Sequence, residues 1–146
     1  MITLRTSTPA DGPQIMQVWR SAVDATHHFL TGDDRRAIEE EVAAFLPSAP
    51  LLLAVDELDR VLGFMFLHEG HMEALFVDAN HRGAGIGRAL LKHALQQHPS
   101  LTTDVNEQNA QAIGFYERMG FRRTGRSDKD GQGRPYPLIH LRHAPG

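Results

Sequence analysis

Apolar residues recur along this chain at two spacings, every second position in some stretches and every third or fourth in others, and the alternation of these patterns predicts its elements. Ile2 to Arg5 alternates like a short strand. After Thr8-Pro9-Ala10-Asp11-Gly12-Pro13, residues Ile15, Trp19, Ala22 and Val23 fall on one helical face, with Asp11 and Gln14 spaced as a capping box. A second helix carries Ile38, Val42, Phe45 and Leu46 and stops at Pro47, which cannot continue the hydrogen-bond ladder. Leu51 to Val55 and Val61 to His68 read as a hairpin, and Glu69-Gly70 turns the chain into a strand from His71 to Val77. Gly85 to His98 is helical, with Leu90, Leu91, Ala94 and Leu95 on one face. Leu101 to Val105 is a strand. Asn106 or Glu107 opens a last helix with Ala112, Ile113, Tyr116 and Met119 on its buried stripe and Gly120 at the left-handed position past its end. Phe121 to Gly125 and Tyr136 to His143 alternate as two final strands.

The order β-α-α-β-β-β-α-β-α-β-β predicts an α/β fold, with a mixed, mostly antiparallel central sheet flanked by helices. A chain of 146 residues is one domain's worth of sequence, so a single domain over 1–146 is expected. Folding at this length removes about 68–70% of the unfolded chain's surface from water, and the 41% of hydrophobic residues can fill the interior without a metal or disulfide staple. Cysteine is absent, which excludes a thiol nucleophile and a Cys-ligated metal and fits a reducing compartment. No apolar run is long enough to span a bilayer and the first residues do not form a signal peptide, so a cytoplasmic protein that binds no membrane is expected.

Fifteen Lys and Arg against 18 Asp and Glu give a net charge of -3, which disfavours generic nucleic-acid binding. The distribution is more informative. Between Asp78 and Asp104 there is no acid, while Arg82, Arg88 and Lys92 lie there beside His81, His93 and His98. Asp33, Asp34, Glu39, Glu40 and Glu41 instead make the second helix acidic, relieved only by Arg35 and Arg36.

Within the basic stretch stands Leu75-Phe76-Val77-Asp78-Ala79-Asn80-His81-Arg82-Gly83-Ala84-Gly85-Ile86-Gly87-Arg88, a strand, a glycine-rich turn and a helix start. Glycines at every second position let successive backbone amides converge on one cluster of oxygens, and the following helix directs its positive end there. A diphosphate suits that arrangement. The turn is not a P-loop, because Gly87 is followed by Arg88-Ala89 rather than Lys-Ser/Thr; nor is it a Rossmann fingerprint, because Arg88 stands where the third glycine belongs.

Arg82-Gly83-Ala84-Gly85-Ile86-Gly87 resembles the Arg/Gln-x-x-Gly-x-Gly/Ala coenzyme A loop of the GNAT superfamily of acetyl-CoA-dependent N-acetyltransferases. The segment from Asn106 to Phe121 is similar to that family's Asn-x-x-Ala-x-x-Phe-Tyr-x-x-x-Gly-Phe signature, and the element order matches over nearly the whole chain. Ala25-Thr26-His27-His28-Phe29-Leu30 and the stretch from Gly125 to Leu138 look closest to a bacterial branch of peptidyl-lysine N-acetyltransferases. The resemblance implies the GNAT acyl-CoA N-acyltransferase fold and acetyl transfer from acetyl-CoA, the cosubstrate, to a primary amine such as a protein lysine, by direct attack in a ternary complex. A small amine, amino acid or antibiotic as acceptor, and a non-catalytic acetyl-CoA-binding regulatory module, are the alternatives. The chain is expected as a monomer or homodimer.

An amine with an ordinary pKa near 10.4 is neutral in only about one molecule in 2,500 at pH 7, a handicap of roughly 4.6 kcal/mol that a base can reduce. His71 and Glu73 alternate on their strand and so share a face. The resemblance implies that Glu73, with His71 second, deprotonates the amine directly or through water. It implies Tyr116 as proton donor to the departing thiolate, a transfer uphill by only about 2 kcal/mol between an unperturbed phenol and thiol. It further implies that Phe76 and Val77 pair with pantetheine and polarise the thioester, that Arg82, Gly83, Ala84, Gly85, Ile86, Gly87 and Arg88 hold the pyrophosphate, that Asn109 and Phe115 contact the pantetheine arm, and that Asn106 marks the strand end where the cofactor enters. His27, His28, Phe29 and Tyr136 would close the acceptor side. No metal is expected: His68-Glu69-Gly70-His71 crosses a turn, lacks a third strong ligand and is not the helical His-Glu-x-x-His motif.

Overall fold

The computed structural model describes residues 2–144; Met1, Pro145 and Gly146, which the expected domain 1–146 includes, lie outside the described residues. Its elements are β1 (Thr3–Thr6), α1 (Gly12–Thr26), α2 (Gly32–Phe45), β2 (Leu52–Val55), β3 (Val61–His68), β4 (His71–Val77), α3 (Ile86–Gln97), β5 (Thr102–Asn106), α4 (Ala110–Arg118), β6 (Phe121–Ser127) and β7 (Leu138–His143). The strands form a sheet ordered β1-β2-β3-β4-β5-β7-β6. Pairing is antiparallel for β1-β2, β2-β3, β5-β7 and β6-β7 and parallel for β4-β5, so the expected mixed, mostly antiparallel sheet is what forms. The chain divides into two compact units, Met1–Phe66 with Ala74–Lys92 and Leu67–Glu73 with His93–Gly146.

In the first unit, α1 presents Ile15, Val18, Trp19 and Val23 to Leu51, Leu53, Val55 and Phe64, with Ala74 and Phe76 of β4 packed against the same cluster. The helical spacing read from the sequence is therefore the packing face itself. Alternation serves β3 differently. Gly63 is required there because a Cβ at that position would lie 2.9 Å from Ile86 Cγ2 and 3.0 Å from the Phe76 carbonyl oxygen. Helix α2 buries no residue fully: Ile38 and Val42 lean on the core, while Phe45 stays 49% exposed, its ring meeting the Phe66 edge at 5.3 Å. Arg35 stacks over Trp19 at 4.8 Å and bonds Asp24 and Glu39, Arg20 also bonds Glu39, and Arg36 pairs with Asp33. Part of the acidic charge of α2 is thus neutralised within the unit.

Asp11 does not cap α1 toward Gln14 as the spacing suggested. It closes a capping box with Thr8 around the preceding 3-10 turn, and Gln14 instead accepts the Val61 amide at 3.0 Å. Buried Asp11 takes two hydrogen bonds from Arg5 at 2.8 and 2.9 Å, and Arg5 also reaches Asp59. These Arg5 bonds hold the Asp11 carboxyl far below the ordinary carboxylate range, against the opposing pull of burial. Because the folded pKa is depressed, the pair stabilises above the unfolded value and that contribution is lost as pH falls through the folded one. We expect Asp11→Asn to lower stability by about 1–3 kcal/mol at pH 7 and to flatten the decline in Tm that the wild type shows below about pH 5. Thermal melts between pH 7 and pH 3 check this; parallel curves for the two proteins would refute it.

In the second unit, β5 pairs with the start of β4 through His71↔Thr102 and Met72↔Thr103, and with β7 from Thr102↔Arg142 to Asn106↔Leu138. Helix α4 buries Ile113 and Tyr116, and Tyr116 stacks edge-on with Phe121 at 5.3 Å. Gly120 adopts φ +97°, the left-handed position expected after this helix. The helix opens later than expected. Its first residue is Ala110 and its cap is Asn109, whose side chain accepts from the Ala112 amide at 3.2 Å; Asn106 remains in β5 and accepts from Gln108 instead. Strand β7 likewise begins at Leu138 rather than Tyr136. Pro135 and Pro137 have no amide hydrogen to give a ladder, and the Pro137 carbonyl is taken by Glu107.

Candidate active site

In the first unit, the glycine-rich turn leaves β4 through Asp78 and a 3-10 turn and enters α3 at Ile86. Gly83 and Gly85 both adopt φ +80°, a conformation that side chains resist, which is why glycine recurs there. The amides from Arg82 to Arg88 donate to no backbone or side-chain acceptor among the described residues, which leaves them as donors a ligand could use. Arg82, Arg88 and Lys92 are exposed around them, whereas Ile86 is buried and anchors the helix start in the core. The turn is tied down at its entrance by Asp78 and His81 together with Ser21 of α1, which the sequence did not single out. Asp78 takes the Ser21 hydroxyl at 2.6 Å and His81 Nδ1 at 2.7 Å, and Ser21 accepts the Ala79 amide at 2.9 Å. Partial burial pushes the Asp78 carboxyl up, but the bonds from Ser21 and His81 outweigh it and hold the group below its ordinary value.

Phe76 is half-buried against Phe64 at 5.5 Å, and Val77 flanks Gly63. His27, His28 and Phe29 follow the end of α1. His27 bonds Thr26 at 2.7 Å and stacks with Phe29 at 5.3 Å; burial, with a smaller effect from His28, lowers its pKa and favours the neutral ring.

The second unit holds Glu73, His71 and Tyr116. Glu73 is exposed and touches no described polar partner. His71 is engaged at both nitrogens. Nε2 lies 3.4 Å from Asp104 Oδ2 and Nδ1 lies 2.7 Å from the Thr102 hydroxyl. A carboxylate only accepts, so in the neutral ring Nε2 carries the hydrogen and the Nδ1 lone pair receives the Thr102 hydroxyl. Asp104 bonds His140 Nδ1 at 2.6 Å through its other oxygen, and His140 Nε2 receives the Ser127 hydroxyl at 2.7 Å. This five-residue network lies on one sheet face beside Glu73. It places the lone pair of His71 out of use and leaves Glu73 as the group with a free one. Sequence reading missed Asp104 and His140; the signal was their alternation with Thr102 and Leu138, but the register that joins them is not visible in one chain.

The Tyr116 ring is buried between Phe115 and Phe121. Its hydroxyl has no hydrogen-bond partner among the described residues. Burial pushes the phenol above its ordinary pKa. The phenol therefore stays protonated at neutral pH, and full transfer to a thiolate is steeper than the unperturbed 2 kcal/mol; hydrogen bonding to a departing sulfur is the easier service. Phe115 is half-buried. The side-chain oxygen of Asn109 is committed to the α4 cap, leaving its amide group. Tyr136 is buried just before β7. Among the described residues, no three His, Asp or Glu side chains are grouped to hold a metal, and no helix is long and apolar enough to cross a membrane.

Comparison with known proteins agrees across most of the chain. The acetyltransferase (GNAT) domain family matches residues 22–135. The peptidyl-lysine N-acetyltransferase YjaB of Escherichia coli strain K12 is 50% identical over 141 residues, covering 97% of this chain and 96% of the relative. Its Salmonella typhimurium counterpart is 52% identical over 141 residues, covering 97% of each chain. The solution structure of apo YjaB from Escherichia coli superposes with a TM-score of 0.95 at 49% identity, covering 100% of this chain and 99% of that one.

Proposed function

The chain belongs to the GNAT acetyltransferases and moves acetyl from acetyl-CoA to an amine, and from that premise we propose that it is a single catalytic domain whose acceptor is the side-chain amine of protein lysine. The observation that carries the acceptor is the 50% identity, over nearly the full length of both chains, to a peptidyl-lysine N-acetyltransferase. The amides of Arg82 to Arg88, with the Arg82 and Arg88 side chains, hold the pyrophosphate. Backbone groups of Phe76 and Val77, with Asn109 and Phe115, receive the pantetheine, which enters by Asn106. Glu73 takes a proton from the attacking ammonium, directly or through water, and Tyr116 serves the leaving sulfur. His27, His28, Phe29 and Tyr136 shape the acceptor side. Coenzyme A release measured against lysine peptides, free lysine and small amines tests the acceptor; turnover confined to small amines would overturn it.

The loop assignment makes its own prediction. A Cβ at Gly85 would meet nothing within 4 Å, so crowding inside the protein is not the obstacle; the φ of +80° is. Valine must leave that conformation and drag the amides out of alignment, at a cost of about 1–3 kcal/mol. Gly85→Val is expected to weaken acetyl-CoA binding about 10- to 100-fold by calorimetry and to lower Tm by only the few degrees that strain of this size costs, because the exposed loop carries no core packing. Unchanged affinity would remove the loop from cofactor binding.

A further inference from the structure

The sheet of the second unit aligns four side chains in a lateral row. His71 is the register partner of Thr102, Thr102 of Arg142, and Arg142 of Arg122. Register partners point to the same face, so two arginines stand directly opposite each other on the face that carries Glu73. Like charges in that relation destabilise a sheet unless an anion joins them. The neighbouring arginines of β6 have such anions: Arg123 meets Glu117 at 3.8 Å, and Arg126 meets Glu107 and Asp128 at 2.5 Å each. Arg122 and Arg142 meet no carboxylate among the described residues, and both are exposed. Asp104, the acid on the adjoining row, has both oxygens committed to His140 and His71.

We propose that Arg122 and Arg142 together receive the carboxylate of an acidic residue in the acceptor peptide, making them specificity-determining residues for lysines with Asp or Glu nearby. This rests on the lysine-acceptor reading and on Glu73 marking where the amine arrives. Neighbouring strands are about 4.8 Å apart, so Arg142 lies about 10 Å and Arg122 about 14 Å across the sheet from the strand of His71 and Glu73. An extended peptide covers about 3.3 Å per residue, which puts the acid three to four positions from the lysine. Two guanidinium forks on adjacent strands converge on a carboxylate in a way one arginine cannot, and a basic segment is repelled by the same pair.

Peptides with one lysine and Asp, Ala or Lys three positions away, assayed by coenzyme A release at saturating acetyl-CoA, test this. Each exposed ion pair contributes modestly, so the expected preference for the acidic peptide over the alanine peptide is about three- to tenfold, expressed in KM and reduced by salt. In Arg122→Gln/Arg142→Gln the ratio falls to near one, and in Arg122→Glu/Arg142→Glu it inverts toward the lysine-flanked peptide. Equal use of the three peptides by the wild type, or a preference that survives in both double variants, overturns the inference while leaving lysine acetylation standing. Turnover of small amines with no peptide turned over overturns both.

Discussion

Glu73→Gln is expected to lower kcat about 100-fold at pH 7, the lower end of what a placed base contributes, without changing acetyl-CoA affinity. Stability should move by no more than about 0.5 kcal/mol, because the carboxylate is exposed and touches no described partner, so lost turnover could not be blamed on unfolding. The defect should shrink as pH rises. An ordinary lysine amine gains about tenfold in neutral fraction for each unit that pH rises toward 10.4, so near pH 9 about one molecule in 25 is already neutral and the handicap the variant must meet without a base has fallen by about 2.7 kcal/mol. His71→Gln should cost less, because the lone pair of His71 is already met by Thr102. A pH-rate series on the three proteins distinguishes the two candidates: a larger loss for His71→Gln, or a Glu73→Gln defect that is constant with pH, would move the base away from Glu73.

Much of the fold was legible because local chemistry and tertiary packing agree. The Ile15, Trp19, Val23 stripe and the Leu90, Leu91, Ala94 stripe are core faces. Gly83, Gly85 and Gly120 occupy left-handed backbone that no other residue adopts as cheaply, so their sequence positions announced their geometry. Errors gathered where one residue could serve two partners. Asp11 had a helical partner at the right spacing, but Arg5 from β1 and Thr8 were better ones. Asn106 and Asn109 are both competent caps, and pairing of β5 with β7 through Asn106↔Leu138 decided between them. The glycine loop was readable for the same reason that the histidine network was not. One is a run of consecutive residues. The other joins His71, Asp104 and His140 through strand registers that only the folded sheet defines.

The other large effect belongs to the leaving group. Tyr116→Phe should lower kcat by about 100-fold while acetyl-CoA affinity stays within about twofold. The fold should tolerate the change, since the ring keeps its edge contacts with Phe115 and Phe121 and the hydroxyl removed has no partner among the described residues. Burial raises the phenol pKa, so the wild-type rate should not decline at mildly alkaline pH through loss of this proton. The discriminating variable is the thiol that departs. An acetyl thioester of a more acidic thiol leaves without help, so the Tyr116→Phe defect should shrink toward unity with such a donor if the hydroxyl serves the sulfur. A packing role would instead lower the rates of both donors equally. Single-turnover rates with acetyl-CoA and the activated thioester, measured beside melts of both proteins, therefore separate an acid from a buried ring; a defect of the same size with either donor would remove Tyr116 from the chemistry.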